Sequence, residues 1–309
     1  MISIFDSILP IFLAMIIGKI IKTYWLTSDE FWRGTEKLSY FLLFPCALFN
    51  YIVDADLSSR EVINVAGILI LATGILASAL LIYKKRSAVK GPIFTSIFQG
   101  SLRYNNYIFF GIGGALYAEA GLRVVAIIAL YMIVFTNVIS ILAFNMYLDN
   151  NKNGDYFERL LALLKKFTLN PMIFASILAL IFNKFDIQIG VSLKKLLQNM
   201  ANSALTMGII TVGSGLKFTI NADNLRAISI TTLNKLIILP LITFVLLSAF
   251  EVTATTKSIA MLYSGLPCAT TSYVLSKQLG GDSELMASII TFTTFFSVLT
   301  LSFLMYILA

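Results

Sequence analysis

The sequence predicts an all-α membrane protein of about ten transmembrane helices, in two inverted five-helix repeats whose fourth and ninth helices are broken and cross. Three observations carry that prediction. Hydrophobic residues make up 58% of the chain. They gather in runs that approach the roughly 20 residues a helix needs to cross a bilayer. Two of those runs are interrupted midway by polar residues or proline, at matching points of the two halves.

The runs cover 2–21, 34–53, 62–83, 92–119 and 121–148, then 170–184, 191–214, 225–250, 255–280 and 283–308. The first has no Lys or Arg before it and no small-residue cleavage site, so it reads as a spanning helix and not a signal peptide. The second contains Pro45, which kinks it, with Asn50 about a turn beyond. The fourth begins at Pro92 and breaks at Arg103-Tyr104-Asn105-Asn106; Gly111, Gly113 and Gly114 after the break allow close packing where segments cross. The connection from Asp149 to Thr168 is the longest, and Tyr156–Phe167 within it could form a short amphipathic helix. The sixth run is short and must borrow flanking residues or sit in a protected position. The eighth carries Lys235 about ten residues in, roughly 15 Å at helical rise. The ninth breaks at Ser264-Gly265-Leu266-Pro267. No soluble domain is left over.

The domain reading follows: residues 1–148 form the first repeat, 149–169 a cytoplasmic linker, and 170–309 the second repeat. Five spans per half invert the second half relative to the first. Pro171 lies 161 residues after Pro10, and Pro267 lies 161 after Asn106, so two landmarks share one offset. Counting inward from Pro92 and from Thr255, Arg103 lies about 16 Å deep and Pro267 about 18 Å, close to the midplane of a core about 30 Å thick. Unwound backbone at that depth must be satisfied by protein, water or ligand. The half-helices beyond the breaks point their positive N-terminal ends at the centre. Broken helices at equivalent positions of two repeats are the sequence mark of a transporter's substrate site.

Charge sets the orientation. With the N-terminus outside, fifteen Lys and Arg residues fall on the cytoplasmic side and six on the outer side. Cytoplasmic loops carry the basic excess, so both termini are expected outside a multi-pass protein of the cell inner (plasma) membrane. This explains the net charge of +7. The basic residues are split among short loops, which argues against nucleic acid. The chain has no His and two Cys, which argues against a zinc or haem site and any cofactor; Cys46 and Cys268 read as small apolar residues more than as a disulfide.

The stretches LLFPCALFN (Leu42–Asn50), QGSLRYNNYIFFGIGG (Gln99–Gly114), NPMIFASILAL (Asn170–Leu180), KLIILPL (Lys235–Leu241) and GLPCATTSYVLSKQLGGDSEL (Gly265–Leu285) resemble, in order and spacing, the auxin efflux carrier family. The short central connection is similar to bacterial members, which include malonate-transporter-like proteins. The resemblance implies a small organic anion as substrate, and export as the direction. It implies a scaffold of helices one, two, six and seven, a mobile bundle of the other six, and a homodimer in the lipid bilayer. In the family pattern an Asn or Pro marks each crossing, matched here by Asn105, Asn106 and Pro267. The second crossing lacks the Asn and offers Thr270, Thr271 and Ser272 instead.

The candidate substrate-binding residues are Asn105, Asn106, Arg103, Ser264, Pro267, Thr270, Thr271, Lys235, Pro45 and Asn50. Arg103 reads as an anion counter-charge or as a side chain snorkelling to the headgroups. Lys235 reads as a counter-charge, as a built-in replacement for a coupling cation, or as a structural cap of carbonyls near Pro240. The Asn amides can bind a carboxylate or cap the broken helix. Pro267 makes the break, and the hydroxyls around it can bond back to their own helices. Glu119, Glu36 and Asp6 fall near helix ends, so no carboxylate pair sits at the midplane. That argues against an enzyme of the intramembrane aspartyl protease kind, because Asp282 lies at a helix boundary without a partner. The alternative to an anion exporter is a sodium-coupled organic-anion symporter of the bile-acid transporter type, which shares the broken-helix logic.

Overall fold

The computed structural model describes residues 2–57, 59–148, 170–216 and 224–308, and all regular structure among them is helical. The helices are α1 (Ile2–Tyr24), α2 (Asp29–Leu38), α3 (Phe44–Val53), α4 (Arg60–Arg86), α5 (Gly91–Leu102), α6 (Asn106–Leu148), α7 (Pro171–Lys184), α8 (Val191–Ser214), α9 (Leu225–Leu233), α10 (Leu239–Ser248), α11 (Ala254–Ser264), α12 (Thr271–Leu279) and α13 (Ser283–Leu308). The proposed amphipathic helix at Tyr156–Phe167 lies outside the described residues.

Local chemistry sets the boundaries. Side chains of Ser28, Ser59, Asn170, Thr253 and Asp282 accept from backbone N–H groups in the first turns of α2, α4, α7, α11 and α13, the ordinary way to satisfy orphan donors at a helix start. The Ser28 cap explains why the second helix begins at Asp29 and not at residue 34: the apolar run starts later than the helix does. Trp32 Nε1 also donates to the Leu26 carbonyl at 2.6 Å, fixing the entry. α12 ends at Gly280, whose φ of 78° suits a residue without a Cβ. α6 turns at Ala118 (φ 52°, ψ −155°), where the fourth and fifth predicted runs meet.

The two internal prolines after Leu-rich text are absorbed by π turns. Ser39–Leu43 joins α2 to α3 just before Pro45, and Asn234–Ile238 joins α9 to α10 just before Pro240. A proline lacks an N–H and clashes with the carbonyl four residues earlier; a wider turn moves that carbonyl away and keeps each segment continuous.

Arg60–Arg86, Gly91–Leu148, Leu225–Ser248 and Ser283–Ile307 are each long and apolar enough to cross a bilayer. α7 is a shorter apolar helix, and its outer side is exposed at Phe174 and Ile177, so it is not sheltered by the rest of the chain. α8 carries Asn199, Asn202 and Ser203 on its exposed side.

The helices pack as two groups. In one, α1 lies along α8, and α3 packs on both α7 and α8. In the other, α5 packs with α6, α9 and α13, while α4 packs with α6, α10 and α11. The first group contains the helices expected as a scaffold. Its tightest point is the crossing of α1 and α8. A Cβ on Gly213 would lie 1.9 Å from the Met15 carbonyl oxygen, and one on Gly18 would lie 2.0 Å from that of Ile210. Small residues here let the two backbones touch. Gly213→Val is therefore expected to cost about 3 kcal/mol or more, because backbone and not a flexible side chain must move. Gly34, inside α2, has nothing within 4 Å of its missing Cβ, so Gly34→Ala is expected to stabilise by up to about 1 kcal/mol. Thermal unfolding of the two variants in detergent checks both signs.

Candidate functional site

The site forms where two helices stop in the interior. α5 ends as Arg103 turns extended (φ −86°, ψ 148°), and Arg103–Asn105 separate it from α6. Gly265–Thr270 separate α11 from α12, so the second break is longer than the sequence suggests. Asn106 and Ser264 already belong to the flanking helices. The two breaks are tied by one backbone hydrogen bond, from the Asn105 N–H to the Pro267 carbonyl at 3.0 Å. The Cys268 N–H donates to Thr293 Oγ1 on α13 at 3.2 Å. Asn105 Oδ1 caps α6 by accepting from the Ile108 N–H at 3.3 Å. Pro267 has no N–H to satisfy. Protein groups thus replace the missing helical bonds, as an interior break requires.

Beside this crossing lies a cavity of ≈ 60 Å³. The breaks contribute Arg103 to Tyr107 and Ala269 to Thr271; the second limb of α6 contributes Ile133, Thr136 and Asn137. From the other helix group come Tyr40 and Phe44 at the π turn and Asn170 and Met172 at the start of α7. The cavity therefore sits on the seam between the two groups. The first residues of α6 and α12 both line it, so two helix N-termini bring partial positive charge to it.

Arg103 dominates its electrostatics. The side chain is buried, at 8% exposure. Nη2 donates to Asn137 Oδ1 at 2.9 Å and Thr271 Oγ1 at 3.1 Å, and Nη1 donates to Gln99 Oε1 at 3.4 Å. Among the described residues, no Asp or Glu lines the cavity. The amides of Asn105 and Asn106 also face it incompletely satisfied: Asn105 Nδ2 and Asn106 Oδ1 are buried without a hydrogen-bond partner among the described residues. Since Asn105 Oδ1 serves the α6 cap, its Nδ2 is held out as a donor.

Five expected residues, Arg103, Asn105, Asn106, Thr270 and Thr271, come together around the cavity. The others do not line it. Pro267 is buried behind the crossing and contributes its carbonyl to Asn105. Ser264 donates to the Met261 carbonyl of its own helix at 2.9 Å. Pro45 is buried at the start of α3, where it follows the cavity residue Phe44. Asn50 donates to Gln198 Oε1 at 2.8 Å and joins α3 to α8. Lys235 is fully buried in the second helix group, with Nζ 3.1 Å from the ring centroid of Tyr104 and no hydrogen-bond acceptor among the described residues. It caps no carbonyl near Pro240. Cys46 and Cys268 are both free. Tyr40, Tyr107, Asn137 and Asn170 escaped the sequence reading. Asn137 had a usable signal, an amide in the middle of an apolar run.

Toward one face the cavity is closed in layers. Phe44 packs edge-on against Tyr107 at 4.6 Å and Phe110 at 5.2 Å, joining the two groups. Beyond them, Arg123 Nη1 donates to the Asp54 carbonyl at 2.9 Å, and Lys194 pairs with the Asp54 carboxylate at 2.7 Å. α7 ends at the same face, where Asn183 Nδ2 donates to the Val53 and Ala55 carbonyls, each at 2.8 Å. At 14 residues it is only about 20 Å long, so its first turn ends beside the cavity.

Residues 3–305 match the family described as membrane transport protein. A relative from Methanothermobacter thermautotrophicus, described as an uncharacterized transporter, is 19% identical over 299 residues, covering 96% of this chain and 95% of its own length.

Lys235 gives a direct stability test. A buried donor left without an acceptor costs about 1–3 kcal/mol, so an apolar residue of similar volume at this position is expected to be neutral or stabilising. Lys235→Met is expected to hold or raise the melting temperature in detergent; a clear fall would mean that the ammonium has an acceptor worth more than its contact with Tyr104.

Proposed function

This chain belongs to the membrane transport protein family, that of the auxin efflux carriers, and we propose that it is a secondary transporter of a small organic anion such as an auxin-like acid or a dicarboxylate. The observation that carries this is Arg103: a buried guanidinium at the crossing, with neutral oxygens around it and no carboxylate among the described residues of the cavity wall. A cation kept in such a place is favoured by the charge of its ligand. The donor of Asn105 and the two helix N-termini act in the same sense.

The carrier works by alternating access. A cavity of ≈ 60 Å³ has the volume of about two waters, so an organic acid enters only when the groups move apart along their seam. α1, α2, α3, α7 and α8 act as the scaffold, and the remaining helices carry the crossing past it as an elevator. Ten spans in two inverted repeats, both termini outside the inner membrane, export as the direction and a homodimer complete the reading. The basic loops favour the orientation, and the family resemblance favours direction and assembly. In this arrangement the Phe44–Tyr107 layer and the Arg123–Asp54 contact close the outer face.

Flux of radiolabelled mono- and dicarboxylates in proteoliposomes tests the reading. Arg103→Gln is expected to lower kcat/KM about 10- to 150-fold, the loss of a charged hydrogen-bonding partner, and Asn106→Ala about 2- to 10-fold. Absence of carboxylate flux under every ion gradient sinks the anion reading, and flux that requires sodium favours the symporter. Arg123→Ala removes one rim contact worth about 1 kcal/mol. A cysteine introduced at Gln198 is expected to react about fivefold faster with an impermeant maleimide from the outer side in that background; an unchanged rate excludes Arg123 as part of the closure.

A further inference from the structure

Arg103 is surrounded by oxygens of a particular kind. Asn137 Oδ1 accepts from it at 2.9 Å and Gln99 Oε1 at 3.4 Å, from two different helices. Both amides are held in one orientation by their nitrogens. Asn137 Nδ2 donates to the Ile133 carbonyl at 2.8 Å; Gln99 Nε2 donates to the Ser272 carbonyl at 3.2 Å and to Ser276 Oγ at 2.6 Å. Gln99 is fully buried. Each amide therefore orients the guanidinium without neutralising it. The acidic counterparts differ by one atom, fit the same volume, and would make a buried ion pair with Arg103.

We propose that Asn137 and Gln99 are the specificity-determining residues of the site: as amides where carboxylates would fit, they leave the charge of Arg103 for the ligand and so select anions over neutral molecules of the same shape. This rests on the anion-transport reading. With a carboxylate at either position the guanidinium is already paired. An incoming acid then meets a neutral pair, or a carboxylate that repels it, and loses its advantage over its own amide.

The test is the ratio of affinities for an acid and its primary amide, measured by calorimetry on the full-length protein in nanodiscs. The probes are malonate against malonamide and indole-3-acetate against indole-3-acetamide. Wild type is expected to prefer one of the acids. Asn137→Asp and Gln99→Glu are each expected to reduce that preference by about 30-fold or more, the scale of a buried charge partner. Asn137→Ala removes the oxygen but leaves the charge available, so it weakens acid and amide together and keeps the preference. A purely structural role moves affinity or melting temperature, not this ratio. An unchanged preference in the two acidic variants overturns the proposal and leaves the anion reading standing. So does failure of both to fold, since the amides are then structural. A wild type that binds neither acid, or binds acid and amide alike, overturns the anion reading and this proposal with it.

Discussion

One hydrogen bond organises the molecule: the backbone N–H of Asn105 on the carbonyl of Pro267. Breaking a helix in an apolar interior strands donors and acceptors, and each costs several kcal/mol if left unmet. Here each break supplies part of what the other lacks. Proline at the acceptor position removes one donor from the account, and the side chain of Asn105 removes another by capping α6. The crossing stands because two incomplete helices complete each other, with Thr293 of α13 satisfying Cys268 from behind.

The rest of the architecture serves that crossing. The close approaches of Gly18 to Ile210 and of Gly213 to Met15 lock α1 to α8, so one helix group is tightly joined at its centre. The other group holds both breaks. Their seam is aromatic on one side of the cavity, at Phe44 and Tyr107, and polar within it. Edge-to-face aromatic contacts join the two groups there without burying a charge. The ion-paired residues Asp54 and Lys194 are instead at the rim.

Two buried basic side chains show how environment decides a role. Arg103 lies in the first break and Lys235 packs on Tyr104 of the same break, and neither meets a carboxylate among the described residues. Arg103 has its directional donors aimed at neutral oxygens and its edge on a cavity. Lys235 has a ring face and nothing to donate to. A planar guanidinium is suited to be held and shared; a compact ammonium on an aromatic face is held but presents nothing.

The sequence by itself determined where the helices run, where two of them break, and that Arg103, Asn105, Asn106, Thr270 and Thr271 stand at those breaks. Length and polarity are legible because a polar group deep in an apolar run is costly and so conspicuous. It did not determine which way each helix faces. Ile8 and Met15 of α1 are buried at 1% and 2% exposure, while Ile16 and Ile17 are exposed at 54% and 50%. All four are apolar, because lipid and protein interior select for the same side chains. Periodicity, which reveals the buried face of a helix in water, is therefore silent here. That is why the contact between Asn137 and Arg103, the burial of Lys235 against Tyr104, and the diversion of Asn50 to Gln198 were decided only by tertiary packing. The extent of the second break was hidden for a related reason: Cys268 and Ala269 are apolar enough to read as helix, and the bonds to Asn105 and to Thr293 of α13 let this segment remain unwound.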